Sequence, residues 1–293
     1  MTRLRELIAR PQLTVAPVVL NPIMARLAED AGFEAIYLGG GTLGWQQCVT
    51  EANITLPEMA RVAVDIRVAC RLPLVLDGGG GWGDPAHMHR TIPLCEAAGF
   101  AAIEIEDQHL PRRFHHHVGE ERLISTEAMV DKIKECIAAR TDPEFVIIAR
   151  TNAARTEGLD AAVRKAEQFK KAGADMLFVH TRTADDIRFI GERLPAPLMI
   201  FAPEDGFAGF PLSRADMAAL GFRLAASSGS AFAAMYKAVR QSYACLARDE
   251  IDPFLGKGGA TQQIKLAHET YGLKKVLEIE RRTTGPSPSP DKS

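Results

Sequence analysis

The sequence predicts an α/β fold of the (β/α)8 TIM-barrel type, and three observations carry that expectation. Short, near-continuous apolar runs alternate with helical patterns along the chain, as parallel strands buried on both faces and joined by crossover helices should read. Several helical patterns end in a glycine just before the next apolar run, at Ala31-Gly32, Ala98-Gly99 and Ala172-Gly173, which is C-cap placement. The run Leu74-Val75-Leu76-Asp77 ends in an acid and passes through four glycines, Gly78 to Gly81, before Asp84-Pro85 opens a helix. A buried strand that ends in a carboxylate, followed by backbone free of side chains, is how a barrel builds an active-site mouth. A doubly wound open sheet is the alternative. It would more often carry a GxGxxG turn after the first strand, and Val19-Leu20-Asn21-Pro22 is not one.

Taken in order, residues 14–20 read as the first strand and 22–31 as a helix. Residues 35–38 form the second strand, ending in Gly39-Gly40-Gly41, and 56–70 the helix after it. Strand 73–77 precedes helix 85–98, strand 101–107 precedes helix 126–140, and strand 145–151 precedes helix 159–172. Strands 176–180 and 197–202 flank helix 184–194, and strand 223–227 leads into helix 230–248. Residues 1–252 are therefore expected as one barrel domain, which is within the length such barrels reach. Residues 253–259 read as a breaker-rich linker and 261–282 as a further helix, so that 253–283 would pack on the barrel or a neighbouring subunit. The Pro/Ser/Gly composition of 284–293 reads as a disordered tail.

Composition narrows the class. The 293 residues are 46% hydrophobic and 25% charged, with a net charge of −2, ordinary for a globular protein. Near-neutral charge makes no electrostatic case for nucleic acid or a membrane surface, and no apolar stretch approaches the roughly 18 residues of a membrane span. The first ten residues mix charge and apolar groups, unlike a signal peptide. The five cysteines are scattered without a CxxC pair, as expected of reduced thiols in a cytoplasmic protein.

Chemistry in such barrels sits at the C-terminal ends of the strands. Reading those ends gives Gly39, Gly40, Gly41 and Thr42, then Asp77, then Glu104, Glu106 and Asp107. Arg150 and Asn152, His180 and Arg182, Glu204 and Asp205, and Ser227 and Ser228 follow. Asp77 and Glu106 lie on adjacent strands, and oxygen ligands of this kind suit Mg²⁺, with Mn²⁺ as a substitute. Arg150 offers the bidentate fork that grips a carboxylate; its alternative role is an ion pair with Glu106 bracing the mouth. The glycine turn 39–41 can present N–H groups to a second anionic group. The connection 107–121 is long enough for a lid. Its His115-His116-His117 run is a poor metal site, because adjacent side chains diverge; one histidine reaching the substrate is the expectation.

Several of these segments together resemble the isocitrate lyase / phosphoenolpyruvate mutase superfamily. They are Ala25-Arg26-Leu27-Ala28-Glu29 before Ala31-Gly32-Phe33-Glu34-Ala35-Ile36-Tyr37, Asp77 with Gly83-Asp84, and Ile105-Glu106-Asp107-Gln108 with Pro111. Ile148-Ala149-Arg150-Thr151 and Ala172-Gly173-Ala174-Asp175-Met176 complete the set. The resemblance implies a Mg²⁺-dependent barrel acting on 2-oxo or 2-hydroxy carboxylic acids through an enolate-like intermediate. It also implies a homotetramer, a dimer of dimers, in which a late helix is exchanged. In its terms Asp77 is the direct metal ligand, Glu106 a metal-shell acid, Arg150 the carboxylate-binding arginine, and Gly39 to Gly41 the turn that holds the substrate.

The departures are informative. The family's Asp-Ala-Asp at the third strand is Asp77-Gly78-Gly79 here, and its lid motif Lys-Lys-Cys-Gly-His is Arg112-Arg113-Phe114-His115-His116. Tyr-Asp after the first strand becomes Leu20-Asn21, the Asp after the fifth-strand Arg-Thr becomes Asn152, and the sixth-strand Glu becomes His180. Phe114 thus stands where the lyases keep their acid–base cysteine. The expected function is a Mg²⁺-dependent carbon–carbon lyase or decarboxylase on a small oxo- or hydroxy-diacid such as oxaloacetate or a malate derivative. Decarboxylation suffers least from losing the thiol, with water, His116 or His180 supplying the proton and Asn152 helping to bind substrate. Phosphonopyruvate or phosphoenolpyruvate chemistry of the mutase or hydrolase kind, and a catalytically silent ligand-binding barrel, are the alternatives.

Overall fold

The computed structural model describes residues 3–114, 120–227 and 229–284. Eight parallel strands form the expected barrel: β1 (Thr14–Pro17), β2 (Ile36–Leu38), β3 (Leu74–Asp77), β4 (Ala102–Glu106), β5 (Val146–Thr151), β6 (Met176–Val179), β7 (Leu198–Phe201) and β8 (Phe222–Ser227). Neighbours pair in sequence order from β2 to β8, and β8 pairs with β1. A bridge between Val18 and Tyr37, with Val19 N–H donating to Tyr37 O at 2.9 Å, brings β1 to β2 and closes the ring.

Strand residues alternate between two packed groups. Tyr37, Val75, Ala102, Ile148, Phe178 and Met199 belong to an inner group inside the ring. Leu38, Leu76, Ile103, Ile147, Leu177 and Ile200 pack with helix residues such as Met59, Ile92, Ile133 and Phe169. Full burial of each such Leu, Ile or Phe is worth roughly 1.5–3 kcal/mol, so both faces of every strand must be apolar, and the sequence is. The helix Leu4–Ala9 places Leu4, Leu7 and Ile8 in the inner group and plugs the N-terminal end of the barrel. At that floor Arg5 and Arg140 pair with Asp175 at 3.0 and 2.7 Å. The site is therefore left to the opposite, C-terminal end.

The helices follow the sequence reading with local differences. Expected helix 85–98 is a 3₁₀ turn, Pro85–His87, followed by Met88–Ala97. A short helix that the pattern does not announce, Arg214–Ala219, crosses from β7 to β8 and is fixed by a capping box between Ser213 and Asp216. The late helix is two, Gly259–Tyr271 and Leu273–Thr283, separated by Gly272 at φ +81°, a left-handed conformation that interrupts the helical ladder and that glycine adopts without strain.

The chain divides into two compact units, Met1–Phe232 and Ala233–Ser293. The division falls inside the helix Ser230–Leu246, of which only Cys245 is buried. The second unit exposes Tyr243, Leu246, Ile251, Phe254, Ile264 and Val276. Among the described residues no helix is long and apolar enough to cross a membrane. All five cysteines are free thiols.

Candidate active site

The alternation that builds the inner group continues to the strand tips. In β4, Ala102 faces inward, so Glu104 and Glu106 follow it at the same phase. In β5, Ile148 does the same for Arg150. Register sets Asp77 beside Glu104 and Glu106 beside Arg150, with Phe178 next along. The apolar inner core thus gives way to a charged layer at the mouth.

Arg150 is the centre of that layer. Its Nη1 donates to Glu104 Oε1 at 2.7 Å and its Nε to Asn152 Oδ1 at 3.1 Å. The Nε lies 3.3 Å from Glu106 Oε2, and the Phe178 and Phe201 rings stand 5.0 and 5.1 Å from the guanidinium carbon. Tyr37 Oη donates to the other Glu104 oxygen at 3.1 Å. The expected brace therefore exists, but its strongest partner is Glu104 rather than Glu106. Burial pushes Glu104 up to about 8 against the pull of Arg150.

Asn152 does not contact the cavity. Its Nδ2 donates to Glu106 Oε2 at 2.7 Å while its Oδ1 accepts from Arg150, so both ends of the carboxamide are used and the residue has no exposed surface. The expectation that it binds substrate is corrected to a positioning role. His180 is buried, with Nδ1 3.1 Å from Asn152 Oδ1 and 3.3 Å from Arg150 Nη2. Burial, then Arg150, push the ring down to about 2, so it is held neutral. Its Nε2 is buried without a partner.

A second arginine arrives from the loop after β4. Arg112 Nη2 lies 2.8 Å from Glu51 Oε1 and 3.0 Å from Glu106 Oε1. Glu51 sits in a 3₁₀ turn, Glu51–Asn53, capped by Thr50. Burial alone would raise Glu106, but Arg112 and then Arg150 overcome it and hold the carboxyl at about 2. Asp77 accepts from Gly40 N–H at 3.2 Å and Gly79 N–H at 3.1 Å. Burial, and then the charge of Glu51, raise its pKa.

The glycine turn is also rearranged relative to expectation. Gly39 is the N-cap, and Gly40 and Gly41 open a short helix, Gly40–Gln46. The Gly40 amide is committed to Asp77, while Gly39 and Gly41 line the cavity. Asp107 turns out of the mouth and accepts from Thr151 Oγ1 at 2.6 Å and Asn152 N–H at 3.0 Å. Arg182 and Glu204 form an exposed pair at 2.8 Å. His116, with His115, His117 and Ser228, lies outside the described residues.

The mouth encloses a cavity of about 210 Å³, lined by Tyr37, Thr42, Glu51, Asp77, Arg112, Arg150, Arg155, His180, Arg182 and Phe201 among others. That is small beside the roughly 300–1,000 Å³ of typical ligand pockets, and its wall sets four arginines against Glu51, Asp77 and Glu121, with Arg155 paired to Glu121 and Arg182 to Glu204. Among the described residues no three His, Cys, Asp or Glu stand as a ready metal cage. Mg²⁺ seldom needs one, since it takes one or two carboxylates and completes its shell with waters and substrate oxygens. Glu106 Oε1 is buried and, although close to Arg112, has no aligned hydrogen bond. With Asp77 and Glu51, which share Arg112 as a neighbouring charge, it offers carboxylate oxygens of the kind a hard divalent ion takes one or two at a time.

The comparisons agree with the geometry. The chain is 40% identical over 205 residues to a 2-methylisocitrate lyase from Aeropyrum pernix, a match spanning 69% of this chain and 66% of that relative. It is 30% identical to 2,3-dimethylmalate lyase from Eubacterium barkeri over 95% of this chain and 96% of the relative. It is 36% identical to oxaloacetate decarboxylase from Pseudomonas fluorescens over 83% and 82%. A solved structure of phosphonopyruvate hydrolase with oxalate and Mg²⁺ superposes with a TM-score of 0.82 at 30% identity, covering 96% of this chain and 98% of that one. The phosphoenolpyruvate phosphomutase family matches residues 4–247. A match of that extent, supported by lyases similar over most of the chain, makes this protein a member of the phosphoenolpyruvate phosphomutase family.

Proposed function

We propose that the chain is a carbon–carbon lyase or decarboxylase for a small 2-oxo or 2-hydroxy diacid of the oxaloacetate or malate type. One observation carries the reading: Asp77, Glu51, Arg112 and Arg150 line one small cavity whose wall includes His180 with its unpartnered Nε2, and Glu106 is paired to both of those arginines. The named relatives, two lyases and a decarboxylase, support it. Asp77, Glu106 and Glu51 would hold Mg²⁺, or Mn²⁺ in its place. The ion would supply Lewis-acid polarisation of the 2-oxo oxygen.

In this proposal Arg150 receives one substrate carboxylate, and Arg155 and Arg182 draw the second toward the outer wall. For a 2-oxo diacid, the bond between C3 and the departing carboxylate carbon breaks. Its electron pair enters an enolate over C2 and C3, CO₂ leaves, and C3 takes a proton. His180, held neutral, offers Nε2 to a substrate oxygen rather than acting as a cationic acid. Water or His116 delivers the proton. A cytoplasmic location and a homotetramer built through the C-terminal helices belong to the same proposal, supported by the free thiols and the apolar side chains those helices expose.

The test is a screen of 2-oxo and 2-hydroxy diacids with Mg²⁺ or Mn²⁺, reading CO₂ and 2-oxo acid release. Phosphate release from phosphonopyruvate instead would establish the second reading, which the phosphonopyruvate hydrolase likeness favours. Thermal stabilisation by diacids without turnover would mark a silent binding barrel.

A further inference from the structure

Three carboxylates at the mouth already have a cation among them. Arg112 Nη2 is 2.8 Å from Glu51 and 3.0 Å from Glu106, and its side chain is only 13% exposed. Its Nη1 passes 3.2 Å from the point where a Cβ at residue 79 would stand. Gly79 takes φ +49°, so both its backbone and its missing side chain admit the guanidinium.

The guanidinium is held by charge more than by fit. Arg112 Nε is buried with no partner, and Glu106 Oε1, on a residue 1% exposed, has a near guanidinium but no aligned hydrogen bond. A donor and an acceptor left in this state raise the energy of the arrangement. A divalent ion, reached directly or through one of its bound waters, would give Glu106 Oε1 the partner it lacks. A metal bound at the oxygens that Arg112 now contacts would meet its guanidinium as a like charge in a largely dry site, which disfavours both together. Arg112 also lies in the wall common to the 210 Å³ cavity and a neighbouring one of about 330 Å³, together with Glu51 and Asp77. A side chain leaving that wall has space on either side.

We propose that Arg112 is a built-in counter-cation that competes with a divalent metal for Glu51, Asp77 and Glu106, so that metal binds only as the guanidinium withdraws. The inference deepens the proposed function and rests on its placement of the metal. Arg112 balances the acid cluster in the free protein and sets the metal affinity low.

The experiment titrates the full chain with Mn²⁺, without substrate, by electron paramagnetic resonance or calorimetry. Arg112→Ala is expected to bind one Mn²⁺ at least tenfold more tightly than the unaltered protein, and Arg112→Lys, which keeps the charge, to stay within about threefold of it. Should Arg112→Ala not fold, Arg112→Gln retains much of the side-chain volume and the same tightening is required of it. Affinity unchanged or weakened in the neutral variants overturns the proposal. The reading needs no turnover. A chain inactive on every diacid leaves this test intact, and an active chain whose neutral variants bind Mn²⁺ no tighter defeats this inference alone.

Discussion

The floor and the mouth of the barrel each gather arginines around acids, and they finish the task differently. At the floor, Asp175 accepts from Arg5, Arg140 and the Ile147 N–H at 3.0, 2.7 and 2.8 Å. The surplus donors of the two arginines go to the Pro143 and Phe145 carbonyls. At the mouth, Arg112 and Arg150 face Glu51, Asp77, Glu104 and Glu106, an excess of acid. Among the described residues, the buried side-chain atoms without a hydrogen-bond partner are Glu106 Oε1, Arg112 Nε and His180 Nε2, all at that end. Buried polar groups are ordinarily satisfied. A cluster closed on itself holds the fold, whereas one left open in a cavity is arranged for something that arrives later.

That contrast can be broken most sharply at Asp77. Asp77→Ala should lower kcat/KM at least a hundredfold, about 2.7 kcal/mol of transition-state stabilisation, and should abolish the response to Mg²⁺. Its stability in urea should stay within about 1 kcal/mol, because the acid is a costly buried charge. Retained turnover would move the chemistry away from this end of the barrel.

Asp175→Ala is the mirror image. Stripping the shared partner from Arg5 and Arg140 should cost about 3 kcal/mol of folding stability, the lower end for a broken buried pair, since the group is 15% exposed. Activity per folded molecule should not change. Urea denaturation and kinetics on one preparation decide it, and an inactive but stable variant would show that the floor is coupled to the site.

Arg150→Lys tests a residue with a foot in both classes. Lysine keeps the charge and loses the fork, so a carboxylate substrate should lose at least tenfold in kcat/KM, from an interaction worth roughly 1.5–3 kcal/mol. A fall in melting temperature with full activity would instead place Arg150 with the floor arginines as a brace. The smallest effect is expected at Phe114, which is 56% exposed. Phe114→Cys should leave the native reaction near wild type or slower; a clear gain would show that this mouth still uses a thiol.

The barrel was legible because each strand is buried on both faces and each crossover carries a helical period. Helix Arg214–Ala219 was not, being six residues long beyond a loop that contains Gly206 and Gly209. At the site, strand phase is what sequence conveys: Asp77, Glu106 and Arg150 follow from it, as does Glu104 once Ala102 is taken as inward. Glu51 and Arg112 come from irregular segments far apart in the chain, and no spacing relates them. Asn152 looked like a ligand group because it is polar at a strand tip, yet its neighbours use both ends of its carboxamide.

Asp77 is hydrogen-bonded by the amides of Gly40 and Gly79, which lie in two different βα connections. Barrels are commonly diversified by exchanging such connections one at a time. Here a single carboxylate ties the second and third together, so a graft of either alone would lose its anchor at the other. In loop-exchange experiments residues 39–53 and 78–84 should behave as one transplantable cassette, inherited or replaced together.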